Sequence, residues 1–384
     1  MKNSPAINTQ SNPTDIHVMV ITDFDETYGK VESYLSGENK IKVFQQKLCV
    51  EAVTTFRQHG LDVVIMDTSD ANTSWPVTIT RLRKIDVHAM IILVSNYQSS
   101  DRPGSKMKGF ERGVAEYFDF PSLRAGKIEI DKFKHVFVRT IKALSASRRE
   151  FGPTDQPIGL PIKRDERLRQ ARLKAAEPIP IKLRPYQTVI PKIIAVASST
   201  GGLRALIGFF GGLPRSINCP VVVTQHMLKG FITSLAEGIT KNTDWPCIEA
   251  VDGQQLKPGH VYMAPHDNHM TFIADTPYPK IKLSDAPPEN YCKPAADPMF
   301  RSIASVSGSK VLGVVLTGMG NDGHKGAEEI LKQGGNIIAQ DQETSVVWGM
   351  PRSVAEAGLC AAVLPIDALP GEVAHLVQGK FKKR

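Results

Sequence analysis

The sequence predicts an α/β protein built from two doubly wound domains. Apolar runs of strand length recur from Ile16 onward, separated by segments with helical spacing. In the C-terminal half, several of these runs break directly into glycine-rich or polar turns, as strand-to-helix junctions in parallel sheets do. Between 145 and 191 the pattern stops and Arg, Lys and Pro take over. The chain therefore divides into a first domain over 16–144, a basic, Pro-containing linker over 145–191 and a second domain over 192–384.

In the first domain the strand candidates are 17–22, 63–66, 90–94 and 115–118, with a weaker one near 41–44. Helical spacing over 48–59 separates two of them. Five strands with crossovers imply an open sheet of flavodoxin type. In the linker, 164–176 has the composition of a solvated helix. The second domain carries strand candidates at 192–197, 220–224, 261–264, 310–316 and 336–339. Helices are expected over 203–210, 231–240, 295–306 and 326–333, giving a mostly parallel sheet.

At 384 residues, 41% hydrophobic and 22% charged, the chain has the composition of an ordinary globular protein. No apolar run approaches the length of a membrane span, and 1–15 lacks the apolar stretch of a signal peptide, so the expectation is a cytoplasmic protein with no membrane insertion. Five cysteines (Cys49, Cys219, Cys247, Cys292 and Cys360) without CxxC spacing argue against a zinc site or a disulfide framework. The net charge of +8 sits largely in 163–184 and 380–384. That reads as solvated linker charge, not as a nucleic-acid footprint.

Three runs end in residues able to do chemistry. Ile193–Ala197 leads into Ser198-Ser199-Thr200-Gly201-Gly202, Val221–Gln225 into His226, and Val314–Leu316 into Thr317-Gly318-Met319-Gly320-Asn321-Asp322-Gly323. The ends of parallel strands share one edge, where ligands bind. A serine hydroxyl is a poor nucleophile at neutral pH and needs a base and an oxyanion stabiliser. His226 can take its proton, Asp322 can orient the imidazole, and the turn after Ser199 presents backbone amides and a helix N-terminus. The chain order Ser, His, Asp differs from those of three well-known unrelated serine hydrolase folds. Taken singly, each residue has an ordinary structural reading: an N-cap, a strand-end histidine, a turn aspartate. An anion-cradling role for the two glycine-rich turns also fits, although neither matches the Walker pattern. Pro265, His266, Asp267 and His269 form a second polar cluster, read as a loop lining the crevice in preference to a metal site.

The ordered segments A-S-S-T-G-G, T-Q-H-M, G-H-V-Y-M-A-P-H-D-N-H-M, K-P-A-A-D-P-M-F, L-T-G-M-G-N-D-G and W-G-M-P resemble the chemotaxis protein-glutamate methylesterases from about Lys192 to the C-terminus. The resemblance implies Ser199 as nucleophile, His226 as base, Asp322 as orienting acid, and the amides of Met319 and of a residue near Thr200 as oxyanion donors. It implies hydrolysis of glutamate γ-methyl esters on a chemoreceptor helix with release of methanol, and in many members deamidation of receptor glutamines. No cofactor is implied for this chemistry. The family commonly has glycine and alanine where this chain has Ala197 and Ser198. The competing readings are a noncatalytic regulator retaining the fold, and a DNA-binding response regulator, for which no recognition-helix pattern is visible.

The family normally carries an N-terminal receiver domain that blocks the active site until it is phosphorylated. By that resemblance Asp67 matches the phosphoacceptor position and Ser95 the switch hydroxyl. The paired acids that bind Mg²⁺ are reduced to Thr22-Asp23, with Asp25 two residues on, and Phe120 stands where a lysine should precede Pro121. Phosphoryl transfer to a carboxylate needs Mg²⁺ and a cation beside it. The first domain is therefore read as a degenerate receiver that binds Mg²⁺ only if it still functions. A histidine kinase or another chemotaxis signalling protein is its expected partner.

Overall fold

The computed structural model describes residues 14–47, 49–58, 61–69, 75–86, 88–96, 113–122, 124–151, 181–227 and 231–381. The expected linker helix at 164–176 lies outside the described residues, as does most of the basic stretch 163–184.

The first domain runs β1 (Ile16–Ile21), α1 (Asp25–Leu35), β2 (Ile41–Gln46), α2 (Cys49–Gln58), β3 (Val63–Asp67), α3 (Trp75–Ile85), β4 (Met90–Ser95), β5 (Glu116–Asp119) and α4 (Lys127–Phe151). Its sheet has the order β2-β1-β3-β4-β5, all parallel, which is the flavodoxin-type order expected. The central strands β3 and β4 are buried along their whole length, as strands covered by helices on both faces must be. The candidate at 41–44 is a full six-residue strand. Its alternation was hidden because Lys42, Gln45 and Gln46 lie on an edge strand.

One boundary moves. The linker was expected from Ser145, but α4 continues to Phe151, with Ser145, Ser147 and Arg148 buried. Arg148 forms a buried ion pair with Asp86, and Arg149 reaches both carboxylate oxygens of Asp62 at 2.8 Å. These two arginines, placed in the linker by composition, instead fasten the last helix to the rest of the domain, because a guanidinium can bridge to a buried carboxylate. The far end moves as well. Arg184 donates its amide to the Cys360 carbonyl at 2.9 Å, and the Gln187 backbone exchanges hydrogen bonds of 2.9 and 3.0 Å with the Asn336 side chain. Residues 184–191 therefore belong to the second domain.

The second domain begins with β6 (Ile193–Ser198), α5 (Gly202–Gly212), β7 (Val221–Gln225), α6 (Ile232–Thr243), β8 (Cys247–Glu249) and β9 (Val261–Met263). A hairpin of β10 (His269–Ile273) and β11 (Lys280–Ser284) follows, then α7 (Ala296–Ser307), β12 (Val311–Val315) and α8 (His324–Lys332). The chain closes with β13 (Asn336–Gln340), α9 (Met350–Glu356), β14 (Ala362–Leu364) and α10 (Leu369–Val377). Seven strands form one parallel sheet in the order β14-β13-β12-β6-β7-β9-β8. The antiparallel hairpin stands apart from it and had no counterpart in the sequence reading. From β6 the chain builds outward through β7 in one direction and later through β12 in the other. The carboxyl ends of β6 and β12 thus flank a topological switch point, where open α/β sheets form their ligand crevice. The core there is tight: Ala195, Ala197, Val315, Ala296 and Phe300 are fully buried in one cluster.

Candidate active site

Ser199 is the first residue after β6 and lies almost wholly buried in the turn that feeds α5. The turn is held from three sides. The Ser199 amide donates to the Thr317 carbonyl at 3.0 Å, and Thr317 Oγ1 donates to the Thr200 carbonyl at 3.0 Å. Gln225, at the end of β7, accepts from Ser198 Oγ at 2.6 Å and donates to the carbonyls of Ser199 and His226, each at 2.9 Å. Ser198, which departs from the family's usual alanine, therefore stitches β6 to β7. Gly201 takes a left-handed φ of 78°, and a Cβ there would sit 2.4 Å from Val346 Cβ. Only glycine allows this turn.

The turn after β12 closes against Ser199. A Cβ on Gly318 would lie 2.8 Å from Ser199 Cβ and 2.4 Å from Met350 Sδ, so the backbone leading into Met319 passes directly beside the serine. Among the described residues, neither the Thr200 nor the Met319 amide donates to another group.

His226 follows β7, and its amide bonds to the Ser198 carbonyl at 3.1 Å, which sets it beside the Ser199 turn. Its ring Nε2 lies 2.7 Å from Asp322 Oδ2. Asp322 is 2% exposed and accepts four further hydrogen bonds: Ala296 N at 2.6 Å, and Asp297 N, Gly323 N and Asn290 Nδ2 at 3.0 Å each. Ala296 and Asp297 open α7, so the carboxylate caps a helix N-terminus. Burial pushes the Asp322 carboxyl up, yet the imidazole and these amides outweigh it and hold it at about 2. Burial likewise disfavours the imidazolium of His226, but the neighbouring Cys292 sulfur and the Asp322 carboxylate raise it to about 10. The other ring nitrogen, Nδ1, faces Cys292 Sγ at 3.6 Å. Among the described residues, no hydrogen bond joins Ser199 Oγ to the ring.

The structure therefore pairs His226 with Asp322 directly and sets Ser199 on the neighbouring strand end. Sequence reasoning missed four supporting residues: Gln225, Asn290, Cys292 and Asp297. Asp297 is buried, accepts from Gly326 N at 2.7 Å and from Asn290 Nδ2 at 2.9 Å, and has its carboxyl raised by burial and by the charge of Asp322. The K-P-A-A-D-P-M-F segment was the available signal for Asp297; nothing local marked Asn290. In the second polar cluster, His269 is 1% exposed, with Nε2 donating to the Pro287 carbonyl at 3.0 Å and Nδ1 accepting from Ala295 N at 3.1 Å. Both nitrogens are committed to bracing the start of α7, so His269 is structural.

In the first domain Asp67 closes β3 and is buried. Its oxygens accept from Thr22 Oγ1 at 2.9 Å and Ser69 N at 2.8 Å. Asp23 and Asp25 are exposed, and Asp25 pairs with Lys47 at 3.0 Å. One Asp67 oxygen is thus engaged by a threonine hydroxyl, at the position where a second acid would otherwise stand. Ser95 Oγ hydrogen-bonds Asp119 and accepts from Tyr117 OH at 2.6 Å. Phe120 is 1% exposed, packed against Tyr34, Phe133 and Phe137.

Comparison with known proteins places the chain in a family. Residues 194–373 match the CheB methylesterase family. The protein-glutamate methylesterase/protein-glutamine glutaminase 1 of Paramagnetospirillum magneticum is 36% identical, covering 95% of this chain and 97% of its own length. A protein-glutamate methylesterase/protein-glutamine glutaminase of Azospirillum brasilense is 37% identical, covering 92% of this chain and 91% of its own. One from a group 2 operon of Rhodospirillum centenum is 34% identical, covering 96% and 97%. Identity of 34–37% to these relatives over more than nine-tenths of the chain makes this chain a member of the protein-glutamate methylesterase/protein-glutamine glutaminase family.

Proposed function

We propose that this chain hydrolyses glutamate γ-methyl esters on chemoreceptor cytoplasmic segments, releasing methanol, and deamidates receptor glutamines by the same acyl transfer. Ser199 attacks the carbonyl carbon, and His226 takes its proton. With Nε2–H donating to Asp322, the proton must arrive at Nδ1. Catalytic hydrogen bonds often form only once substrate is bound, and the serine–ring bond is assigned to that stage. The amides of Thr200 and Met319, with the N-terminus of α5, face the developing oxyanion. The protonated ring then passes its proton to the leaving group, which departs as methanol or ammonia, and water repeats the sequence to free the carboxylate.

The observation that carries this reading is the His226–Asp322 pair, a 2.7 Å contact fixed by amides from two helices beside a serine in a glycine-dependent turn. Asp67 and Ser95 belong to a receiver-like domain whose remaining acid–hydroxyl contacts favour binding other signalling proteins over rapid phosphorylation. Among the described residues no helix is long and apolar enough to cross a membrane, which suits a substrate reached from solution.

The direct test is methanol release from methylated receptor. Ser199→Ala should abolish it while leaving the thermal transition in place; turnover near wild type in that variant would remove the nucleophile assignment.

A further inference from the structure

Cys292 occupies the position that the mechanism reserves for the nucleophile's proton. Its Sγ is 3.6 Å from His226 Nδ1, while the opposite nitrogen is anchored to Asp322. Cysteine, histidine and aspartate thus stand in the line that activates a thiol. The thiol is half-buried beside Tyr291, which is 86% exposed, so solvent reaches this corner. Cys219, Cys247 and Cys360 differ: all three are buried, and burial pushes their thiols up to about 11, 12 and 12.

We propose that Cys292 is a modification site, where the thiol attacks low-molecular-weight disulfides with His226 as base, and that the resulting mixed disulfide shuts the esterase. This rests on the reading of His226 as the esterase's general base. In the step, Nδ1 accepts the thiol proton as Sγ attacks one disulfide sulfur. The old S–S bond breaks, a new Sγ–S bond forms, and the departing thiolate recovers the proton from Nδ1 and leaves as a thiol. Cys292 is oxidised, the small disulfide is reduced, and no other electron source is needed. The added group is carried on a sulfur 3.6 Å from Nδ1 and fills the space through which the Ser199 hydroxyl must approach that nitrogen. Ser199 then has no base.

The experiment treats the full chain with oxidised glutathione across pH 7 to 10, the range over which the His226 ring gives up its proton and becomes able to act as base. It follows the Cys292 peptide by mass spectrometry and methanol release in parallel. Cys292 should be modified about a hundredfold faster in the wild type than in His226→Gln, the low end of general-base catalysis. Asp322→Asn, which leaves the ring in place in the wrong tautomer, should slow it in the same direction. Methanol release should fall in proportion to modification and return with dithiothreitol, and in Cys292→Ala the treated-to-untreated activity ratio should stay at one. Equal modification rates in the wild type and both variants would overturn the proposal, as would full modification that leaves methanol release untouched. The modification arm needs no esterase activity. A wild-type chain that releases no methanol therefore sinks the esterase reading alone, whereas a Cys292 indifferent to His226 sinks this one.

Discussion

Replacing Asp322 with asparagine tests the site most sharply, because shape is kept and only charge and donor pattern change. The carboxylate accepts five hydrogen bonds, from His226 Nε2, Ala296 N, Asp297 N, Gly323 N and Asn290 Nδ2. An asparagine oxygen placed at Oδ1 keeps the last three. Its NH₂ then meets two donors at Oδ2, the Ala296 amide and the ring N–H. The ring can relieve one clash by moving its proton to Nδ1, which is the nitrogen that must accept from Ser199. Turnover should therefore fall by about 10³–10⁴, the cost of holding a triad histidine in the wrong tautomer. The Asp322 carboxyl at about 2, against an ordinary 3.8, also implies about 2 kcal/mol of stability from the charged form. Since the folded value is depressed, that contribution is present above pH 3.8 and is lost as pH falls through about 2. Asp322→Asn should unfold at correspondingly lower denaturant at neutral pH, and the gap should close in acid. Methanol release and urea titration read the two effects. Turnover within tenfold of wild type in a folded Asp322→Asn chain would refute the orienting role.

The remaining predictions concern pH, the front domain's fastening and its acid site. His226, raised to about 10, is a base only when deprotonated, so kcat/KM should climb with pH through the alkaline range; Cys292→Ala should move that inflection downward by removing one cause of the rise, and a flat profile would contradict the pairing. The ring's contribution to stability has the opposite sign: it is full below pH 6.5 and lost as pH rises through about 10. Arg148→Ala strands the Asp86 carboxylate in the core and should destabilise the first domain by about 3–5 kcal/mol in denaturant titration; a change below 1 kcal/mol would mean the pair is worth little. Acetyl phosphate with Mg²⁺ should label Asp67 slowly or not at all, and rapid stoichiometric labelling abolished by Asp67→Asn would show the first domain to be a working receiver.

Much of the fold was readable along the chain because buried parallel strands are nearly continuous apolar runs, as in Val221-Val222-Val223 and Met90-Ile91-Ile92-Leu93-Val94. Edges and boundaries were less so. The last two turns of α4 carry Ser145, Ser147, Arg148 and Arg149, a polar series that local composition assigns to solvent. Its burial depends on Asp62 and Asp86, placed opposite by the sheet.

By itself the sequence determined two α/β domains and the placement of Ser199, His226 and Asp322 at strand ends, since apolar periodicity and glycine turns are local properties. The tertiary structure alone decided which ring nitrogen Asp322 holds, that Asn290 and the first amides of α7 secure that carboxylate, and that Cys292 rather than Ser199 stands at Nδ1. Those contacts join residues 25 to 96 positions apart, and their energies depend on burial and direction, which no local pattern encodes.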